Sequence, residues 1–113
     1  MPHLLLRLSG RAGMPKSPPE ILAELVAKFS EVETVRPEAV KAALQVVGDY
    51  ATGVGHPGEF AHLEVAVLSG RPLELRQKIS DLMHDCMRSL WPDARVGVTV
   101  EVREMDASTY RKS

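Results

Sequence analysis

The feature that most constrains the fold is an internal repeat. Residues 62–71 (HLEVAVLSGR) echo residues 3–11 (HLLLRLSGR), and the triplet Ser-Gly-Arg recurs at 9–11 and 69–71, a spacing of 69 − 9 = 60. Self-similarity of this kind marks a chain assembled from two copies of one unit. A chain of 113 residues has enough material for one buried core and not for two independent ones. Two units, about residues 1–55 and 56–113, are therefore expected to share a core within a single domain.

Each copy reads as strand, helix, strand. Residues 3–9 are apolar at nearly every position except Arg7, as in a strand covered on both faces or lying mid-sheet. Ser17-Pro18-Pro19-Glu20 is a helix start: Ser17 suits the cap, Pro18 the first helical position, and Glu20 completes a capping box. Ile21, Leu22, Leu25, Val26 and Phe29 then follow at helical spacing against Glu24, Lys28 and Glu31, giving one apolar stripe to pack on a sheet. After Pro37 a short helical turn over residues 38–40 and a strand over residues 43–50 are expected. Residues 52–58, Gly-rich and closed by Pro57-Gly58, connect the repeats.

The second copy opens with a strand over residues 60–68, turns at Ser69-Gly70 and enters a long helix from Pro72 or Leu73 to about Leu90. Leu75, Ile79, Leu82, Met83, Cys86, Met87 and Leu90 keep the spacing of a single buried face, and Pro92 stops the helix. Val96, Val98, Val100 and Val102 alternate with Gly97, Thr99, Glu101 and Arg103, the pattern of a strand with one buried face. A crossover through a helix returns the chain to the same end of the sheet, so the strands within each unit should run parallel. The predicted fold is α+β with α/β-type repeats: tandem β-α-β units in a four-stranded mixed sheet with both helices on one face. The other face would be bare, and alternating valines with no third layer to cover them point to a homo-oligomer.

Charge excludes some partners. Lys and Arg total 14 against 15 Asp and Glu, a net of −1 with no long run of either sign, so neither nucleic acid nor an anionic membrane is expected. One cysteine, Cys86, excludes an intrachain disulfide framework and fits a reducing compartment. The apolar run Leu4-Leu5-Leu6 is too short for a signal-peptide core or a membrane span. A cytoplasmic protein is the expectation.

Several stretches together carry a family likeness: Pro2-His3 at the start, Phe60-Ala61-His62 opening the second copy, residues 68–77 (LSGRPLELRQ) leading into the long helix, and residues 100–105 (VEVREM) near the end. In this order and spacing the chain resembles the 5-carboxymethyl-2-hydroxymuconate isomerase family of the tautomerase superfamily, whose members share an amino-terminal catalytic proline. The likeness spans nearly the whole chain and is weakest over residues 11–58. It implies a trimer of tandem β-α-β units, no metal or organic cofactor, and a small unsaturated 2-hydroxy or 2-oxo carboxylic acid as substrate. It further implies keto-enol isomerisation with Pro2 as the base and cationic side chains holding the carboxylates.

The chemistry asks for these residue types. Methionine ahead of a small residue is usually trimmed, and removal of Met1 would turn the nitrogen of Pro2 from an amide into a secondary amine. Burial and a nearby arginine would draw that amine's pKa toward neutrality; one to two units, about 1.4–2.7 kcal/mol, would suffice. Arg11 and Arg71 each follow a glycine at a strand end, where a guanidinium can grip a carboxylate with two hydrogen bonds; the plain reading of either is a solvated turn arginine. Arg71 lies inside the stronger part of the likeness. Where the family carries an arginine on the second strand, this chain offers Arg36 and Lys41 nearby, and Lys41 supplies charge without the planar fork.

Aligning His3 with His62 places Ala61 opposite Pro2, so the second unit has no amine and one site per chain is the most it offers. The two histidines are expected in a paired structural role. His56 and His84 share no metal-binding spacing with each other or with Cys86, which reads as a core residue. Residues 110–112 (Tyr-Arg-Lys) read as an exposed tail. Two alternatives stay open at this point: a non-catalytic homotrimeric interaction or binding module, and a hydratase or dehalogenase using the same amine.

Overall fold

The computed structural model describes residues 2–55 and 58–113. Met1, on whose removal the proline base depends, lies outside the described residues, as do His56 and Pro57 in the connector between the repeats. The elements run β1 (His3–Ser9), α1 (Pro18–Phe29), a 3-10 turn (Pro37–Ala39), β2 (Lys41–Val47), β3 (Glu59–Leu68), α2 (Leu73–Leu90) and β4 (Val96–Met105). They form one four-stranded sheet in the order β2-β1-β3-β4. β1 is parallel to β2 and β3 to β4, while β1 and β3 pair antiparallel at the centre.

The two units are thus related by a pseudo-twofold axis between the central strands. His3 pairs with Ala66 and His62 with Arg7, the arrangement that results when each histidine takes the same place in its own unit. Antiparallel central strands have a topological consequence. The start of one unit's first strand lies beside the end of the other unit's first strand, so each Ser-Gly-Arg turn sits next to the opposite unit's opening residues.

Local chemistry explains the elements. Ser17 caps α1 by accepting from the Glu20 N–H, and the Glu20 carboxylate accepts from the Ser17 N–H at 3.3 Å, closing the capping box. In α2, where no side chain caps the start, the carboxy-terminal end is held by Arg88. Its guanidinium donates to the carbonyl of the capping residue Trp91 at 2.8 Å and to those of Asp93 and Val96 at 3.2 Å each, tying the end of the helix to the turn and strand that follow.

One core lies between the sheet and the helices. Leu4, Leu6 and Leu8 of β1 alternate inward with Ala61, Leu63, Val65 and Val67 of β3, against Ile21, Leu25 and Phe29 of α1 and Ile79, Met83 and Met87 of α2. All are essentially inaccessible to solvent, and truncating one of the leucines to alanine would cost about 2–5 kcal/mol.

The structure corrects three expectations. β2 runs over Lys41–Val47 and not residues 43–50, because Ser9, its last partner on β1, pairs with Val47 and leaves residues 48–50 nothing to pair with. The short turn covers Pro37–Ala39, one residue earlier than expected. Third, Val98, Val100 and Val102 pack against the core on the helix side; they register with Ala61, Leu63 and Val65, and paired residues share a face. The uncovered face carries ions instead: Glu64, whose side chain is only 17% exposed, lies 4.0 Å from Arg7 and 3.7 Å from Arg103, and Arg103 also meets Glu101 at 3.3 Å. No helix among the described residues is long and apolar enough to cross a membrane.

Candidate active site

Pro2 sits just ahead of β1, buried, with its carbonyl accepting from the Lys41 N–H at 3.1 Å. Because β3 runs antiparallel to β1, the turn after β3 arrives beside it and brings Arg71. The link between α1 and β2 covers the same end of the sheet and contributes Thr34, Val35, Arg36, Glu38 and Ala39. Together with Lys112 these residues line a cavity of about 360 Å³, a size suited to a small organic acid.

The walls are held by hydrogen bonds. On the α1–β2 side, Val35 N–H donates to Val32 O at 3.0 Å and Ala39 N–H to Arg36 O at 2.9 Å. On the β3–α2 side, Gly70 adopts φ of +109°, a conformation open to glycine and costly for other residues. Its N–H donates to Glu104 at 3.3 Å. Arg71 is half-buried, with one guanidinium nitrogen donating to Leu68 O at 3.1 Å and the rest free to bind. Arg36 is 81% exposed and 3.7 Å from Glu38, a loose pairing of little strength. Among the described residues three cationic side chains (Arg36, Arg71, Lys112) face one carboxylate (Glu38), an excess of 3 − 1 = 2 positive charges.

Pro2, Arg71 and Arg36 of the expected site are therefore brought together. Lys41 and Arg11 are placed elsewhere. Lys41 pairs with His3 on the opposite face of the sheet from Pro2, where it lines a separate hollow with Leu5, Ala43, Glu64 and Ala66. Arg11 lies beyond the far end of β1, about 30 Å along the chain from Pro2 at about 3.3 Å per residue.

The region around Arg11 is the pseudo-twofold counterpart of the Pro2 cavity; it holds two hollows of about 330 Å³ each, and a carboxylate of the chain itself, Glu59, lines both. Glu59 Oε1 accepts from the Ser9 hydroxyl at 3.1 Å, the Arg11 N–H at 3.2 Å and the Tyr50 hydroxyl at 2.6 Å. The bond to Glu59 holds the Tyr50 phenol above its ordinary pKa. Nearby Arg95 is engaged by Asp93 at 2.8 Å, which lowers the Asp93 carboxyl to about 2. Arg11 thus does meet a carboxylate through its backbone, and that carboxylate belongs to the chain itself.

Glu38 and Lys112 are the charged lining residues that sequence reasoning missed. The tail after β4 is exposed at Arg111 and Lys112, as expected, but it is anchored ahead of them: Ser108 N–H donates to Asp106 Oδ1 at 2.9 Å, Tyr110 N–H donates to Asp106 O at 3.0 Å, and Ala107 N–H donates to Ser69 Oγ at 3.1 Å. Tyr110 is half-buried, its hydroxyl 3.0 Å from His3 Nε2 and its ring edge-on to the imidazole. The available signal was Asp106 two residues before Ser108, an Asx-turn spacing. His62, the counterpart of His3, meets Thr99 on β4 at 2.7 Å, so the two histidines occupy matching places but hold different partners.

Volume alone would choose another place. A groove of about 540 Å³ runs between α1 and α2, lined by Glu24, Lys28, Glu31, Leu82, Asp85 and Cys86 among others. Burial pushes the Cys86 thiol up, away from the reactive thiolate. Among the described residues no group of three or more His, Cys, Asp or Glu side chains is placed to hold a metal ion.

No protein-family model matches the chain, and no curated protein sequence matches it. Solved structures do. A 5-carboxymethyl-2-hydroxymuconate delta-isomerase superposes with a TM-score of 0.86 at 18% identity, covering 100% of this chain and 87% of that one. A 5-carboxymethyl-2-hydroxymuconate isomerase from Deinococcus radiodurans R1 gives 0.74 at 21% identity, covering 99% and 88%. A fused 4-OT described as a symmetric trimer gives 0.77 at 15% identity, covering 98% and 91%. With its two β-α-β units, central antiparallel strands and helices on one face, the chain has the tautomerase fold and is similar in structure to 5-carboxymethyl-2-hydroxymuconate isomerase.

Proposed function

We propose that the protein is a cofactor-independent tautomerase that interconverts the enol and keto forms of a small unsaturated 2-hydroxy acid, with Pro2 as general base once Met1 is removed. The observation that carries this reading is the placement of a buried Pro2 and the half-buried Arg71 in one cationic cavity. The amine of Pro2 takes the hydroxyl proton, the O–H electron pair becomes the carbonyl, and the displaced alkene pair accepts the proton back from the ammonium at a carbon along the conjugated system. Arg71, with Arg36 at the rim, holds the carboxylate and draws electron density toward it.

Environment suits the base to its task. Burial disfavours the ammonium, the three surrounding cations disfavour it further, and Glu38 alone acts in the opposite sense. A pKa brought near ambient pH makes proton removal and return comparably easy. Rigid attachment to β1 keeps the nitrogen in place.

The same reading includes a homotrimer, as in the fused 4-OT of this fold. Sedimentation should then give three times 12.4 kDa, about 37 kDa. Lys41, which faces away from the Pro2 cavity within its own chain, is the observation that favours the alternative of a non-catalytic binding module. Ketonisation of phenylenolpyruvate separates the two: Pro2→Ala should abolish it with assembly intact. Undiminished turnover by that variant would refute the Pro2 mechanism, and an inactive wild type across several enol acids would favour the module.

A further inference from the structure

We infer that the carboxy-terminal segment is a working wall of the Pro2 cavity, with Lys112 a specificity residue for a second carboxylate on the substrate and the His3–Tyr110 contact the device that positions it. The inference rests on reading the Pro2 cavity as a carboxylate-binding site, and it adds a residue and a positioning pair to that reading.

Four observations meet here. Lys112 lines the cavity together with Pro2 and Arg71. No carboxylate among the described residues lies within ion-pairing distance of Lys112 or of Arg71, a state they share with Arg11, Lys41, Lys78, Arg88 and Arg111, whereas Lys16, Lys28, Arg76, Arg95 and Arg103 all have one; of the unpaired cations, these two line the Pro2 cavity. Among the described residues the cavity's cationic side chains exceed its carboxylates by two, so a single bound carboxylate leaves one positive charge unmatched. Lastly, the tail carrying Lys112 is tied at two points before it reaches the cavity. An Asp106-centred turn is pinned to Ser69 at its base, and Tyr110 is bonded and stacked edge-on to His3, the residue directly after Pro2.

A flexible lysine on a loose tail would lose much of its binding energy to ordering. Tyr110 lies only two residues before Lys112, so the contact with His3 limits where the ammonium can travel. Arg71 comes from the turn after β3 and Lys112 from beyond β4, so they approach the cavity from different segments. That suits two carboxylates at separate positions on one ligand better than two contacts to one carboxylate.

The test compares a dicarboxylic enol, 2-hydroxymuconate, with a monocarboxylic one, phenylenolpyruvate. Lys112→Ala should lower the ratio of kcat/KM for the first over the second about tenfold, chiefly through KM, and Lys112→Arg should restore most of it. Tyr110→Phe, which keeps the ring and removes the hydroxyl, should lower the same ratio about threefold while the melting temperature falls by no more than about 4 °C, the cost of one neutral hydrogen bond. A ratio within twofold of wild type in Lys112→Ala overturns the role of Lys112, and one within twofold only in Tyr110→Phe overturns the positioning role. If wild type turns over neither enol, the tautomerase reading fails, and calorimetric titration with muconate decides the inference alone. Affinity weakened about tenfold in Lys112→Ala upholds it, and equal or unmeasurable affinity in both proteins overturns it.

Discussion

Replacing Glu59 by alanine tests what holds the counterpart region around Arg11 together. Three donors converge on one oxygen of this carboxylate, from Ser9, Arg11 and Tyr50. A hydrogen bond to a charged group contributes about 1.5–3 kcal/mol when well sheltered, but shelter here is uneven. The Arg11 N–H is exposed and can turn to water. The Ser9 hydroxyl, 2% exposed, keeps a carbonyl of Phe60 at 3.3 Å as a substitute acceptor. The Tyr50 bond at 2.6 Å is the short one, and its ring, edge-on to Phe60, is held partly by it.

The net cost should be that of about one strong bond, about 2 kcal/mol, which for a chain of this length lowers the melting temperature by about 8 °C. Glu59→Gln keeps an acceptor and should lose about half as much. Calorimetry at fixed protein concentration reads the shift, and absorbance titration follows Tyr50, whose phenol should fall toward its ordinary pKa once the carboxylate that raises it is gone. Glu59→Ala should leave kcat/KM on phenylenolpyruvate unchanged, since Glu59 lies at the opposite end of the sheet from Pro2. A variant that melts within 2 °C of wild type while its tyrosine titration stays put would refute the reasoning.

Two further outcomes follow from the same geometry. Arg71→Ala removes a guanidinium from the cavity and should lower kcat/KM by about 30- to 150-fold, the equivalent of about 2–3 kcal/mol, whereas Arg11→Ala should stay within twofold of wild type; steady-state rates on phenylenolpyruvate compare them. Asp93 is depressed from 3.8 to about 2 by its hydrogen bonds from Arg95, so its contribution to stability is present above about pH 4 and is lost as pH falls toward 2. Unfolding measured across that range should show wild type losing its advantage over Asp93→Asn as the solution is acidified.

How far the sequence discloses this arrangement depends on whether a feature is local. Ser17, Pro18 and Glu20 specify the start of α1 among themselves, and the valine alternation of β4 needs only a strand. The repeat discloses two β-α-β units. It does not disclose how they face each other, and much of the site follows from that. Arg11 and Arg71 are equivalent in their own units, and only the antiparallel pairing of β1 with β3 decides that Arg71 meets Pro2 while Arg11 meets Glu59.

The same limit explains the valines. Strict alternation says that one face is buried and is silent on which one, until the register with Leu63 and Val65 turns them toward the helices. Lys112 was hidden for a different reason. Its place is set by an irregular tail held through Asp106, Ser69 and His3, contacts between residues up to 107 positions apart that leave no periodic trace.

The central claim is that the nitrogen of Pro2 is the base, and it depends on that nitrogen being an amine. The most direct measurement compares two preparations, each verified by intact mass: the protein short by one methionine, and a form with one residue retained ahead of Pro2. General base catalysis contributes about 100- to 10,000-fold. The account predicts that kcat/KM on phenylenolpyruvate falls by at least about a hundredfold in the form where Pro2 is an amide. Equal turnover by the two preparations would contradict it and remove Pro2 from the mechanism.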